Sequence, residues 1–115
     1  MSAEAVLYHH LEGFSNGDVD AVMEDYTEDS VLIMPDATFT GLDSIRAVFT
    51  DLFGGLFKPG TYDFTMDRTD ISGDIAYIVW HSTNQGVDVK IGTDTFLIQN
   101  GKIAVQTFAA FIQEN

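Results

Sequence analysis

Phe53-Gly54-Gly55-Leu56-Phe57-Lys58-Pro59-Gly60-Thr61-Tyr62-Asp63-Phe64-Thr65-Met66-Asp67 is the stretch in which the hydrophobic period of this chain changes. Before it, Leu42, Ile45, Phe49, Leu52 and Leu56 recur at three and four, a helical stripe that Gly54 and Gly55 weaken or end. After Gly60, Tyr62, Phe64 and Met66 alternate with Asp63, Thr65 and Asp67, which is the period of two expected of a strand with one wet face. The change happens once, so the chain reads as a helical half followed by a strand half, an α+β order.

Upstream, Ala3, Leu7, His10 and Phe14 lie on one helical stripe with Val6 and Leu11 beside it. His10 sits inside that stripe, whereas His9, about 100° further round the helix, falls toward the polar side. Asn16-Gly17-Asp18 stops this helix, and Asp18 caps a short second one carrying Val19, Val22, Met23 and Tyr26. Val31-Leu32-Ile33-Met34 is expected as a buried strand ended by Pro35-Asp36, with Thr38 to Thr40 as a small hairpin partner.

Downstream, strands are expected from Asp74 to Asn84, Asp88 to Gln99 and Lys102 to Ile112, and Asn100-Gly101 supplies a tight turn between the last two. This implies an antiparallel, strongly bent sheet. Ile75, Tyr77 and Val79 alternate with Ile78 and Trp80, so both faces of the central strands are apolar. Helices cover only one of them. The other is expected to be buried in a homodimer packed sheet against sheet through the outer face.

A chain of 115 residues, 45% of them apolar and nine of them Phe, fits one domain spanning 1–115 with a packed core. The absence of cysteine excludes disulfides, thiolate nucleophiles and cysteine-ligated metals. Met1-Ser2-Ala3-Glu4 lacks the basic region of a secretion signal, and no apolar run is long enough to span a bilayer, so no membrane association and a cytoplasmic location are expected. Eighteen acidic residues against five basic ones give a formal charge of -13, which repels phosphate backbones, and no nucleic-acid partner is expected. Glu24, Asp25, Glu28 and Asp29, and further on Asp63, Asp67, Asp70 and Asp74, read as solvated surface.

Two polar residues interrupt the apolar faces. Asp94 shares its strand face with Phe96 and Ile98, while Thr93, Thr95, Leu97 and Gln99 occupy the other, so its carboxyl is expected to point inward. Lost hydration raises its pKa, and it then either stays protonated as a hydrogen-bond donor or serves as a general acid. His10, facing the same interior, would orient Asp94, share its proton or act as base. The plainer reading is equally open: a buried His bonded to a backbone carbonyl, and an Asp bonded to backbone N–H groups near a hairpin. His9, His10 and His81 show no metal-binding spacing, so neither a metal nor another cofactor is expected.

The ordered set Phe14-Ser15-Asn16-Gly17-Asp18, Tyr26-Thr27-Glu28-Asp29-Ser30, Pro35, Gly41-Leu42-Asp43-Ser44-Ile45-Arg46 and Asp94 through Ile103 resembles the NTF2-like superfamily in its SnoaL-like and ketosteroid-isomerase-like branch. The resemblance spans nearly the whole chain. It implies a cone-shaped half-barrel, three helices packed in a curved, mainly antiparallel sheet around an apolar pocket, usually in dimers. Asp94 matches the protonated acid that ketosteroid isomerases direct at an oxyanion. His10 stands where they place an oxyanion-hole tyrosine on the first helix. Their general-base position is Met34 here, with Asp36 nearby but shifted, which argues against steroid isomerisation of their kind.

The expected function is therefore binding of a hydrophobic, carbonyl-bearing small molecule, with cofactor-independent isomerisation, cyclisation or dehydration by the His10 and Asp94 pair. Phe14, Tyr26, Met34, Phe49, Trp80, Phe96, Gln106 and Phe108 are the expected ligand-binding residues. A one-residue slip of register would instead turn Trp80 and Gln106 outward and bring His81 inward. The competing readings are a non-catalytic ligand-binding or dimerisation module and a nuclear-transport-type adaptor, for which no conspicuous partner surface is visible.

Overall fold

The computed structural model describes residues 2–115. Helix α1 (Ala3–Ser15) starts at Ser2, whose hydroxyl accepts from the Ala5 N–H at 3.1 Å. Helix α2 (Val19–Met23) starts at Asp18, whose carboxylate accepts from the Ala21 N–H at 3.1 Å. These caps satisfy donors that the first helical turn leaves without partners. Strands β1 (Val31–Ile33) and β2 (Thr38–Thr40) form the small hairpin, and helix α3 (Leu42–Gly54) follows, ending at Gly55 as its glycine pair requires.

The strand half comprises β3 (Tyr62–Ser72), β4 (Ile75–Asn84), β5 (Val87–Gln99) and β6 (Lys102–Glu114). All six strands form one sheet in the order β2-β1-β6-β5-β4-β3, antiparallel except for β1 beside β6. Asn100 and Gly101 take positive φ of 54° and 73°, closing the two-residue turn that pairs Gln99 with Lys102. Register shifts after Met66, Trp80, Val89 and Leu97 bend the strands, because each inserts an unpaired residue into a ladder.

The helices bury Val6, Leu7, Val22, Ile45, Phe49 and Phe53 against the inward residues Ala76, Ile78, Trp80, Phe96, Ile98 and Ile103. Trp80 faces in and His81 faces out, where its Nδ1 meets Asp67 at 2.7 Å, so the alternative register does not occur. On the outer face Ile75, Ile91 and Phe111 remain exposed, as the double-sided apolar pattern implies.

Two expectations need correction. In the first strand only Leu32 is buried; Ile33 is 41% exposed because successive residues alternate between faces. Asp25 is not solvated but 2% exposed, because α2 ends at Met23 and the next turn carries the side chain off the helix's polar face, back toward α1.

Gly92 explains how the largest side chain fits. It pairs directly with Trp80 across β4 and β5, and a Cβ built on it would lie 2.3 Å from Cε2 and Cζ2 of the indole. The ring therefore rests on bare backbone, a use of glycine within a strand. Replacing Gly92 with Ala should force the indole away and destabilise the fold by about 1–3 kcal/mol, the range of overpacked cores. Urea denaturation followed by tryptophan emission measures both effects; an unchanged midpoint and spectrum would contradict this packing.

Candidate active site

The inward faces enclose a cavity of about 50 Å³. Into it α1 contributes His10 and Phe14, α3 contributes Phe49, and the segment after β1 contributes Met34. The sheet supplies Trp80, Asp94, Phe96, Gln106 and Phe108. Nine of the ten expected site residues thus meet in one place. Tyr26 does not line the cavity; it stands behind Gln106, and its ring lies 6.1 Å from that of His10.

Asp94 is held by its diagonal neighbours. On β5 it pairs with Ile78 of β4 and Phe108 of β6, and two residues along those strands lie Trp80 and Gln106, pointing to the same face. Trp80 Nε1 donates to Oδ1 at 2.9 Å, and Gln106 Nε2 donates to Oδ2 at 2.8 Å. Tyr26 donates its hydroxyl proton to Gln106 Oε1. Burial pushes the Asp94 pKa up to about 6, against the two N–H donors, which favour the ionised form. The pKa is raised, as expected, and because both oxygens accept N–H donors the surroundings favour the carboxylate over a protonated hydrogen-bond donor.

His10 has the opposite character. The rings of Phe96, Phe49, Tyr26 and Phe14 surround it at centroid distances of 5.3, 5.8, 6.1 and 6.5 Å. Burial, with help from the neighbouring His9, pushes its pKa down to about 4, so it is neutral at physiological pH. Its Nδ1 is enclosed and has no hydrogen-bond partner among the described residues. A proton on Nε2 leaves Nδ1 as an unmet acceptor, which costs less than an unmet donor, so this tautomer is the favoured one. His10 and Asp94 share the cavity without bonding to each other.

Sequence reasoning missed Phe64 and Phe57, which also line the cavity. Phe64 stacks on Trp80 at 5.1 Å and is 37% exposed, so it forms part of the rim. The period of two across Tyr62, Phe64 and Met66 had already placed it on the inward face. Met34 lines the cavity, and Asp36 is exposed.

His9 belongs to a separate pair. Its Nδ1 lies 2.9 and 2.8 Å from the two oxygens of Asp25, joining α1 to the turn after α2. Its pKa is raised, first by that hydrogen bond and then by the Asp25 charge.

The depressed His10 value has a definite sign in stability. A folded-state pKa below the unfolded one contributes stability above about pH 6.5 that is lost as pH falls toward 4. Replacing His10 with Phe should remove on the order of 3 kcal/mol of this acid-side loss, from the size of the shift. Urea midpoints of both proteins between pH 7 and 4 test this; parallel curves would refute it.

Comparison with known proteins agrees with this architecture. A SnoaL-like domain family model matches residues 7–106. No curated protein matches the chain significantly. An NTF2-like protein of unknown function from Mesorhizobium loti superposes with a TM-score of 0.79 at 19% identity, covering 95% of this chain and 90% of its own. A candidate polyketide cyclase from Sinorhizobium meliloti gives 0.78 at 20% identity, covering 91% and 94%. A candidate ketosteroid isomerase from Kribbella flavida gives 0.78 at 14% identity, covering 95% and 77%. At these identities the likeness concerns the fold. With a family model covering most of its length and an NTF2-like architecture, the chain belongs to the SnoaL-like domain family.

Proposed function

We propose that the cavity binds a small hydrophobic carbonyl compound and that Asp94 and His10 catalyse proton transfer beside its carbonyl without a cofactor. One observation carries this reading: a carboxylate raised to about 6 and a neutral imidazole with no partner line the same apolar cavity. Titratable groups perturbed by burial and brought together in a cleft are the arrangement that proton-transfer chemistry needs.

In this scheme the Asp94 carboxylate takes a proton from the carbon next to the carbonyl. The electron pair of that C–H bond becomes the C=C bond of an enolate, the C=O π pair moves onto the oxygen, and the Nε2–H of neutral His10 hydrogen-bonds that oxygen as negative charge develops. Returning that proton from Asp94 to the far carbon of a conjugated enolate isomerises the compound. Attack of the enolate carbon on a second carbonyl closes a ring, the new alkoxide taking the proton from Asp94, and departure of a β-hydroxyl group as water with that same proton dehydrates the compound. The names of the Sinorhizobium and Kribbella neighbours fall within these outcomes and support the reading without choosing among them.

A cavity of about 50 Å³ accepts only a few heavy atoms, well below the several hundred Å³ of sites for larger ligands. The reacting end of the molecule would sit inside and the remainder against the rim at Phe64. The same small volume favours the second reading, a binding or dimerisation module without chemistry.

Hydrogen–deuterium exchange separates the two. Small cyclic ketones incubated with the protein in D2O should exchange their α-protons, and Asp94→Ala and His10→Phe should each slow this by roughly 10²–10⁴-fold while leaving the circular dichroism unchanged. Exchange no faster than in buffer, or variants as fast as the wild type, would leave only the module.

The functional unit in this proposal is a homodimer joined through the outer sheet face, where Ile75, Ile91 and Phe111 would otherwise stay exposed, the last at 60%. Light scattering should give about twice the 12.7 kDa chain mass, and Phe111→Asp should return it to one chain. A wild-type monomer at micromolar concentration would rule this interface out.

A further inference from the structure

Tyr26 is buried to 4% exposure, carries a polar group, and does not line the cavity. Its hydroxyl bonds to Gln106 Oε1, its one side-chain partner among the described residues. Burial, and the charges of Asp94 and Asp25, push its pKa well above the usual tyrosine value, so the O–H is a permanent donor. Gln106 is likewise enclosed and spends its other end on Asp94. A primary amide can turn about its last bond and exchange C=O for NH2 with almost no change of shape, so Gln106 alone could offer Asp94 either a donor or an acceptor.

We propose that Tyr26 is a positioning residue whose hydroxyl, donated to Gln106 Oε1, fixes the amide so that Nε2 rather than Oε1 meets Asp94. This rests on the reading of Asp94 as the proton acceptor and says what keeps it one. In the observed orientation the amide donates and stabilises the carboxylate. Turned over, it would accept from a protonated Asp94 and stabilise the neutral acid. It would also direct NH2 at a phenol whose own proton has no other acceptor. Tyr26 therefore opposes the turned state.

The other groups facing Asp94 do not supply this selection. Trp80 Nε1 is a donor only and cannot reverse its role. His10 lines the cavity from α1 uncharged, and no Lys or Arg is among the lining residues. Gln106 is the one partner of Asp94 whose polarity is reversible, and Tyr26 is what holds it.

The test is an NMR titration of the Asp94 carboxyl carbon in wild type, Tyr26→Phe, Gln106→Leu and the double variant. Tyr26→Phe should move the midpoint upward by about one pH unit, the usual worth of a hydrogen bond to a charged form. Gln106→Leu should move it in the same direction. The double variant should match Gln106→Leu alone, because Tyr26 acts through Gln106. A merely structural tyrosine would lower stability and leave the midpoint in place.

Wild-type protein supplies a second readout that needs no variant: the side-chain amide protons of Gln106 should shift with the midpoint of Asp94. An unmoved midpoint in folded Tyr26→Phe, additive shifts in the double variant, or amide protons that do not follow Asp94 would each overturn the assignment. The outcome is separable from the catalytic reading. A shifted midpoint with no ketone exchange in any protein keeps the tyrosine role and removes the chemistry; the reverse pattern removes the tyrosine role alone.

Discussion

The withdrawal of one carboxyl group from water is the constraint around which the rest of this structure is arranged. Asp94 lies on the inward face of a central strand, where a charge without partners would be too costly to keep. The fold answers with two N–H donors brought diagonally from the strands on either side, Trp80 from β4 and Gln106 from β6. Each donor needs support of its own. The indole reaches its place because Gly92 leaves the backbone bare beneath it, and the amide finds its other partner in Tyr26. Helix α1 then lays His10 over the same hollow, enclosed by aromatic rings that keep it uncharged.

The two titratable groups are driven in opposite directions by the same cause. Burial disfavours charge, so it makes the acid weaker and the base weaker, and near neutral pH this leaves a carboxylate facing an imidazole that donates without being cationic. Pairs whose surroundings push their titrations apart are the usual raw material of proton-transfer sites. With both oxygens accepting N–H donors, Asp94 is held as a carboxylate, and Met34 brings no second acid to the cavity.

Much of the architecture was legible because it rests on periodicity. The change of period near Gly60, the stripe through Leu7 and His10, and the alternation around Asp94 each assign a face, and faces decide what the cavity contains. The turn Asn100-Gly101 was equally plain, since its backbone conformation selects its residues. Tertiary events within a few residues were less visible. Nothing local says that the chain leaves α2 at Met23 and turns Asp25 inward, so in sequence this buried carboxylate is indistinguishable from surface charge. Tyr26 carried helical spacing but lies past the helix end, which moved it from the cavity wall to the layer behind. Gly92 did leave a signal, a lone glycine inside a strand pattern, but only the strand pairing reveals that an indole from the neighbouring strand fills the vacated space.

The histidine pair on α1 shows how adjacent residues of one type become different instruments. His9 is clamped by Asp25, whereas His10, about 1.5 Å further along the axis and 100° round it, points to the interior with the buried Val6 and Leu7. The anchored ring holds its proton more firmly, and its positive charge in turn discourages a second proton next door. Acidification would accordingly load the outer imidazole first and spare the inner one, a surface fuse that protects the neutrality of the concealed group.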